Sequence, residues 1–334
     1  MTTKEPTDSP SASPMVETVE LEAQATAEMG GKRFDAAAAE LFSDFSRSRL
    51  SAWIKSGELL LDGRQAKGKE KLFGGEILTI AAELEEQGNW EPEAIELDIV
   101  FEDEHILIIN KPMGLVVHPG AGNSDGTLLN GLLHHCPELV HVPRAGIVHR
   151  LDKDTTGLMV VAKTLQAHAD LVEQLQERSV SREYEAVVQG EMTGGGRVEA
   201  NIGRHPRQRQ KMAVLDFGGK EAITHYRLLQ RFPGFTHIRL KLETGRTHQI
   251  RVHMAHIGYP LVGDATYAGR FKIPKNTAPD LLDRLRNFGR QALHAAQLGL
   301  DHPATGEYME WQVPRPDDID ELLGLLKLRG RERF

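Results

Sequence analysis

Short apolar segments typical of buried strands recur through the middle of the chain, without regularly alternating helices between them. The segments that fit strands are Leu97–Phe101, Ile106–Ile109, Leu158–Ala162, Tyr184–Val188, Ile223–Leu229 and Thr236–Leu242. Helical periodicity is found at Thr127–Leu133, Leu165–Leu175 and the region Thr247–His256. A doubly wound parallel sheet needs a helix after nearly every strand, so this order predicts an α+β fold instead.

A smaller module with its own pattern precedes this region. Its predicted elements are a helix at Ala36–Leu41, a second helix from an N-cap at Ser46 to Gly57, strands at Leu59–Leu61 and Ile77–Ile80, and a short edge strand at Val16–Leu21. Asp62-Gly63 follows the first of the two paired strands and favours a hairpin-like return. Two helices and a small sheet in about fifty residues predict a compact module.

The charge is unevenly distributed along the chain. The formal net charge is −8, but residues 1–30 carry a net charge of −5 and residues 83–104 a net charge of −10. Removing both segments leaves +7 for the remainder, which permits a polyanionic partner. The single cysteine, Cys136, excludes an intramolecular disulfide. No stretch approaches the ~20 apolar residues that span a bilayer, so we expect a cytoplasmic protein.

The run with the most unusual chemistry is Gly-Ile-Val-His-Arg-Leu-Asp-Lys-Asp-Thr-Thr-Gly at residues 146–157. A calcium loop would need an acid at the twelfth position from Asp152, and Lys163 stands there. The spacing of Asp152 and Asp154 is compatible with an aspartyl-phosphate hydrolase, although His149 and Arg150 interrupt the strand expected before the first acid. An ion-paired strand end would have the same composition. Composition alone leaves the hydrolase and the ion-paired strand end open.

Several segments between residues 110 and 264 form a distinctive set: His149-Arg150-Leu151-Asp152 with Thr155-Thr156-Gly157, Gly245 to His253, Arg182-Glu183-Tyr184, Asn110-Lys111-Pro112 with Gly114 and His118, and Gly263-Asp264. Together they resemble the RNA pseudouridine synthases that modify large-subunit ribosomal RNA. The resemblance covers about residues 98–312, with the motifs in the family's order. The resemblance implies a mixed, mostly antiparallel central sheet flanked by helices.

The amino-terminal module contains Arg33-Phe34-Asp35, Ser46-Arg47-Ser48-Arg49, Ile54-Lys55-Ser56-Gly57, Asp62-Gly63 and Gly74-Gly75-Glu76. These segments resemble the alpha-L RNA-binding motif of a small-subunit ribosomal protein, with Phe34 and Asp62 in place of the more usual Leu and Asn. The predicted organisation is an acidic, largely flexible tail at 1–30, the alpha-L module at 31–82, an acidic linker at 83–96, the catalytic domain at 97–326 and a basic tail at 327–334.

By resemblance, Asp152 is the catalytic carboxylate that attacks the sugar or the base of a uridine, or acts as a general base. Arg251 is the cation that keeps Asp152 charged, and Arg246 supports the site or contacts phosphate. Arg150 fills the space left by a flipped base, and Tyr184 stacks on the flipped uracil. Isomerisation needs no oxidant and no leaving group, so we expect neither a cofactor nor a metal.

RNA contacts are predicted on two basic segments. The residues are Arg204, Arg207, Arg209 and Lys211 in one, and Arg47, Arg49 and Lys55 in the other. His248, His253 and His256 lack a nearby acid or cysteine and are expected to pack within a helix rather than bind metal.

The resemblance implies large-subunit (23S) ribosomal RNA or a ribosomal particle as partner, with the target uridines in an interface stem-loop, and a monomer. The alternative is an RNA-binding ribosome-assembly factor in which catalysis is secondary.

Overall fold

The computed structural model describes residues 18–42, 45, 47–83, 90–120, 123–208, 211–269 and 277–331. The chain divides into two compact units, between residues 86 and 87. None of the helices in the described ranges is both long enough and apolar enough to cross a membrane.

The first unit is a three-stranded antiparallel sheet with two helices. Its elements are β1 (Thr18–Gln24), α1 (Phe34–Leu41), α2 (Arg47–Ser56), β2 (Leu59–Leu61) and β3 (Ile77–Glu83). The sheet order is β1-β3-β2, so the predicted helices, the paired strands and the edge strand are confirmed. Ser46, predicted as an N-cap, and Val16 lie outside the described residues.

The two departures from the alpha-L pattern fit this unit. Phe34 is fully buried at the start of α1. Asp62 has a φ of 49°, and its Oδ1 accepts the Ile77 backbone N–H at 2.8 Å. Aspartate shares with asparagine both a tolerance for left-handed backbone and a short side chain that bonds nearby N–H groups. The turn is therefore retained with Asp in place of Asn.

The second unit contains the remaining elements. These are β4 (Ile99–Glu102), β5 (Ile106–Lys111), α3 (Leu128–His135), β6 (Thr156–Ala162), α4 (Leu165–Glu177), β7 (Ser181–Gln189), β8 (Gly196–Glu199), β9 (Ile202–Arg204), β10 (Met212–Val214), β11 (Ile223–Phe232), β12 (Phe235–Leu242), α5 (Gln249–His256), α6 (Pro279–Arg286), β13 (Leu293–Asp301), β14 (Tyr308–Gln312) and α7 (Asp317–Arg331). Every strand and helix predicted between residues 97 and 256 has a counterpart among them.

A nine-stranded sheet organises this unit. Its order is β4-β5-β6-β13-β7-β12-β11-β8, with β14 also paired to β13. Only the β6–β13 pair is parallel among the described strands, so the expected α+β fold with a mixed, mostly antiparallel sheet is confirmed. The apolar core includes Leu107, Met159, Ala186 and Leu240, which lie on four different strands of this sheet.

The carboxyl-terminal helix corrects one predicted boundary. Helix α7 begins with acids that favour a helix amino terminus, and it buries Ile319, Leu322 and Leu326 on one face. The helix continues to Arg331, so the basic tail predicted from Lys327 begins inside it. The local excess of basic residues hid the continuation of the helical pattern.

Candidate active site

The loop before β6 carries Asp152, and a glycine determines how closely it approaches the sheet. Gly157 has a φ of 112°, and a Cβ there would lie 2.2 Å from the Ala295 carbonyl oxygen. Only glycine permits this backbone contact between β6 and β13. Thr156 donates to or accepts from His294 Nδ1 at 2.9 Å across the same junction. The Thr-Thr-Gly sequence thus fixes the point where the loop enters the sheet.

Lys111 is hydrogen-bonded to the loop that carries Asp152. It is almost fully buried, and its Nζ donates to the carbonyl oxygens of Pro112, Leu115 and Lys153 at 2.7, 3.0 and 2.9 Å. Burial lowers the pKa of Lys111 to about 8, against the opposing charges of Asp154 and Asp152. The Asn-Lys-Pro motif therefore connects the end of β5 to the residue next to Asp152.

Residues from the carboxyl-terminal part of the chain also form hydrogen bonds with this loop. Arg290 Nη1 donates to the Asp154 carbonyl oxygen at 3.0 Å, while its Nε and Nη2 bind the Asp318 carboxylate. Gln291 Nε2 donates to Thr155 Oγ1 at 3.0 Å. Sequence analysis did not identify these residues, because nothing in the local sequence around them indicates which loop they contact.

Arg251 lies between two carboxylates. Its Nη1 donates to Asp152 Oδ2 at 2.8 Å, and its Nε and Nη2 donate to Asp264 at 2.7 and 3.0 Å. Burial acts to lower the pKa of Arg251, but the hydrogen bond to Asp264 and the charge of Asp152 outweigh it and raise the pKa. Arg251 is therefore a buried, charged group and not a surface residue of α5.

Asp264 orients the guanidinium. Its side chain has no solvent exposure, and its Oδ1 also accepts the backbone N–H groups of Thr266 and Tyr267 at 2.9 and 3.1 Å. The guanidinium also lies 5.0 Å from the centre of the Tyr267 ring. Because Asp264 takes two of the guanidinium nitrogens, the third is directed at Asp152.

His248 lies closer to Asp152 than expected. Its Nε2 is 3.7 Å from Asp152 Oδ1, and its Nδ1 is 2.7 Å from the Tyr267 hydroxyl. The prediction that His248 only packs within a helix was wrong, because it lies before the first turn of α5 with its ring toward the aspartate. His253 is buried and bonds Thr224, whereas His256 is exposed. Within the described ranges no group of three acid, histidine or cysteine side chains could hold a metal ion.

Tyr184 lies on β7, buried, with Asp152 near enough to affect its ionisation. Burial raises the pKa of Tyr184; the charge of Arg182 opposes this, and that of Asp152 adds to it. The phenol is therefore protonated at neutral pH, and the aromatic ring carries no charge.

The two residues that precede Leu151-Asp152 differ in environment. His149 Nε2 accepts the Val160 backbone N–H at 3.1 Å, and burial lowers the pKa of His149 to about 3. A ring nitrogen that accepts must be unprotonated, so His149 is a neutral structural group. Arg150, by contrast, is exposed next to the carboxylate.

The remaining predicted residues differ in exposure and in their hydrogen-bond partners. Arg246 is half-buried, and its Nε donates to the Glu221 carbonyl oxygen at 2.9 Å. Arg204, at the end of β9, and Arg207 are exposed on the segment leading to β10, and Lys211 is half-buried there; Arg209 lies outside the described residues. In α2, Arg47 and Lys55 are exposed, but Arg49 is buried with its guanidinium 5.8 Å from the Trp53 ring centre. That burial leaves Arg49 little surface for the predicted RNA contact.

Comparison with known proteins identifies the family. Residues 105–256 match the family described as RNA pseudouridylate synthase. The chain is 60% identical to ribosomal large subunit pseudouridine synthase D of Pseudomonas aeruginosa, over 96% of this chain and 99% of that protein. It is 56% identical to the protein of the same name in Escherichia coli, over 94% of this chain and 96% of the relative.

Solved structures agree with the sequence comparison. Human RNA pseudouridylate synthase domain containing 4 has a TM-score of 0.53 and 27% identity, over 69% of this chain and 92% of that chain. Human RNA pseudouridylate synthase domain containing 1 has a TM-score of 0.51 and 25% identity, over 70% and 96%. The chain belongs to the RNA pseudouridylate synthase family and is an isomerase.

Proposed function

We propose that the protein converts uridines of large-subunit ribosomal RNA to pseudouridine, with Asp152 as the catalytic carboxylate. The names of the P. aeruginosa and E. coli relatives, which align over nearly their full lengths, support this substrate class. The targets expected from the sequence are uridines of 23S RNA in an interface stem-loop.

The observation that carries the proposal is the environment of Asp152. One carboxylate oxygen, Oδ2, is held by Arg251, which Asp264 fixes in turn. The other oxygen, Oδ1, faces His248 Nε2 in the described part of the chain. The two atoms are 3.7 Å apart, which is longer than a hydrogen bond. A carboxylate that is anchored through one oxygen, in a side chain that is still partly exposed, is suited to react with a substrate.

The isomerisation balances without a cofactor. The bond between uracil N1 and ribose C1′ breaks, the base turns, and a bond forms between C5 and C1′. The proton on C5 is lost, and N1 gains one. Attack by Asp152 on the sugar or the base, and its action as a general base, all use the same carboxylate.

A stacked uridine must leave its helix to reach Asp152, at a cost of a few kcal/mol. We propose that the exposed Arg150 occupies the vacated position and that the neutral ring of Tyr184 stacks on the uracil. Arg150 directly precedes Leu151-Asp152, so one loop would both open the RNA and carry the catalytic carboxylate.

We further propose that two basic segments bind RNA backbone. In the second unit these are Arg204, Arg207 and Lys211, with Arg246 as a phosphate contact. In the first unit, Arg47 and Lys55 are exposed on α2, in agreement with an RNA-binding role for residues 31–82. Phosphate contacts of this type make affinity fall as salt rises.

The test is tritium release from ribosomal RNA labelled at uracil C5. We expect release from large-subunit RNA, free or in particles, and none from small-subunit RNA of the same specific activity. Release from both RNAs would contradict the proposed substrate class. Binding of large-subunit RNA or particles without release from either would favour the ribosome-assembly factor.

A further inference from the structure

The backbone at His248 is strained in a way that directs its ring. His248 has a φ of 57° and a ψ of 20°, in the left-handed region that is unfavourable for residues other than glycine. The neighbouring Gln249 fixes this turn, since its Oε1 accepts both the Arg246 N–H at 3.0 Å and the Thr244 hydroxyl at 2.8 Å. Strain of this kind persists where the surroundings determine the geometry, often at functional sites.

Tyr267 is placed to select which ring nitrogen of His248 carries the proton. The Tyr267 hydroxyl accepts the Met212 backbone N–H at 2.9 Å and lies 2.7 Å from His248 Nδ1. A backbone N–H can only donate, so the phenol proton is available for Nδ1. With the phenol proton directed at Nδ1, the proton of the neutral ring is on Nε2, which faces Asp152 Oδ1 at 3.7 Å.

Burial favours the neutral form of the His248 ring. The charged groups that act on His248 are Asp152, Asp264, Arg251 and Arg150. Burial lowers the pKa of His248, Asp152 opposes that shift and Arg251 adds to it. The ring is therefore neutral at neutral pH. In this state Met212 N–H donates to Tyr267, the Tyr267 hydroxyl donates to His248 Nδ1, and His248 Nε2–H faces Asp152.

We propose that His248 is a positioning residue for Asp152: its Nε2–H closes on Oδ1 when RNA binds, while Arg251 holds Oδ2, and Tyr267 selects the required tautomer. This proposal rests on the proposed role of Asp152. Catalytic hydrogen bonds are often long in the free enzyme and shorten in the complex, which fits the 3.7 Å separation. His248 and Arg251 are three residues apart, so a single segment would fix both oxygens of the carboxylate.

The hydrogen bond from Met212 also connects Tyr267 to the basic segment proposed to bind RNA. Met212 begins β10, directly after the basic segment that contains Arg207 and Lys211. An RNA contact on that segment therefore lies one hydrogen bond from Tyr267 and two from His248.

The experiment compares His248→Asn, His248→Gln and Tyr267→Phe with the wild type in single-turnover tritium release, with RNA affinity measured in parallel. Asn tolerates the left-handed backbone and reproduces the Nδ1 acceptor but has no donor at the Nε2 position; Gln can place an N–H there. We expect His248→Asn to lower the rate constant about tenfold, the effect of one lost hydrogen bond, with RNA affinity within about twofold of wild type. We expect His248→Gln to recover part of the loss and Tyr267→Phe to give a smaller decrease.

A wild-type rate constant for His248→Asn would overturn the proposal. Nitrogen-15 spectra of histidine-labelled protein give a second readout that is independent of activity. We expect an unprotonated Nδ1 at His248 in the wild type and a mixture of tautomers in Tyr267→Phe; a protonated Nδ1 in the wild type would also overturn it. Full activity of Asp152→Asn would instead contradict the proposed function, so the two failures are distinguishable.

Discussion

Nη1 of Arg251 lies 2.8 Å from Oδ2 of Asp152, although 99 residues separate the two in the sequence. The contact joins helix α5 to the loop before β6, and Asp264 on a third segment aligns the guanidinium. A buried cation shared by two carboxylates fixes the position of Asp152 to within a hydrogen bond.

Arg251→Lys is expected to abolish most activity while the protein still folds. Lysine keeps the charge, but its single ammonium group cannot donate to Asp264 and Asp152 with the fixed geometry of a guanidinium. A displaced carboxylate costs about 100-fold in rate. Single-turnover tritium release measures the loss, and circular dichroism checks the fold. A rate within twofold of wild type would show that the guanidinium geometry is dispensable.

Asp264→Asn is expected to lower the free energy of unfolding by about 3 kcal/mol, because it leaves the buried Arg251 without its better partner. Urea denaturation of wild type and variant measures the difference. Asp280→Asn is the matched control, because Asp280 is an exposed partner of Arg329, and we expect it to have a much smaller effect. Equal effects of the two substitutions would contradict the assigned role of Asp264.

Lys111 is expected to make stability depend on alkaline pH. Its pKa is lowered from 10.5 to about 8, so the unfolded chain binds more protons between those values and stability rises with pH there. The gain amounts to about 3 kcal/mol and is complete above the unfolded pKa. Denaturation at pH 7 to 11 should show wild type gaining stability relative to Lys111→Met. A constant difference between the two proteins would rule out the lowered pKa.

The neutralisation of Arg207 is expected to weaken RNA binding most at low salt. Each lost phosphate contact reduces the slope of log affinity against log salt by about 1. Filter binding of Arg207→Gln at several salt concentrations measures the slope. Arg231→Gln, an exposed arginine on β11 outside the basic segment, is the control and should leave the slope unchanged. If both variants behave alike, the effect is one of net charge and not of a contact.

The sequence was most informative where the pattern is local. Short apolar segments predicted the strands of the central sheet, and turn residues such as Gly57 predicted where elements end. The family motifs predicted that Asp152 and Arg251 belong to one site, and the structure brings them into contact. Apolar patterns, turn residues and motifs are properties of short segments of sequence. They can therefore be interpreted without knowledge of long-range contacts.

Long-range contacts were not predictable in the same way. Lys111 donates to the Lys153 carbonyl and Arg290 to the Asp154 carbonyl, and carbonyl acceptors carry no residue-specific signal in a sequence. His248 was assigned to helix packing because a helical wheel does not reveal a left-handed residue before the helix. In the sequence nothing distinguishes Arg49 from the nearby Arg47, which is exposed. In the structure, Arg49 packs against Trp53.

The most direct test of the account is tritium release from C5-labelled large-subunit ribosomal RNA by wild type, Asp152→Asn and Asp154→Asn. Both substitutions remove one negative charge from the same loop, and of the two aspartates Asp152 is the one that binds Arg251. We predict release by wild type and Asp154→Asn, and none above background by Asp152→Asn. Release by Asp152→Asn at the wild-type rate would contradict the assignment of Asp152 as the catalytic carboxylate.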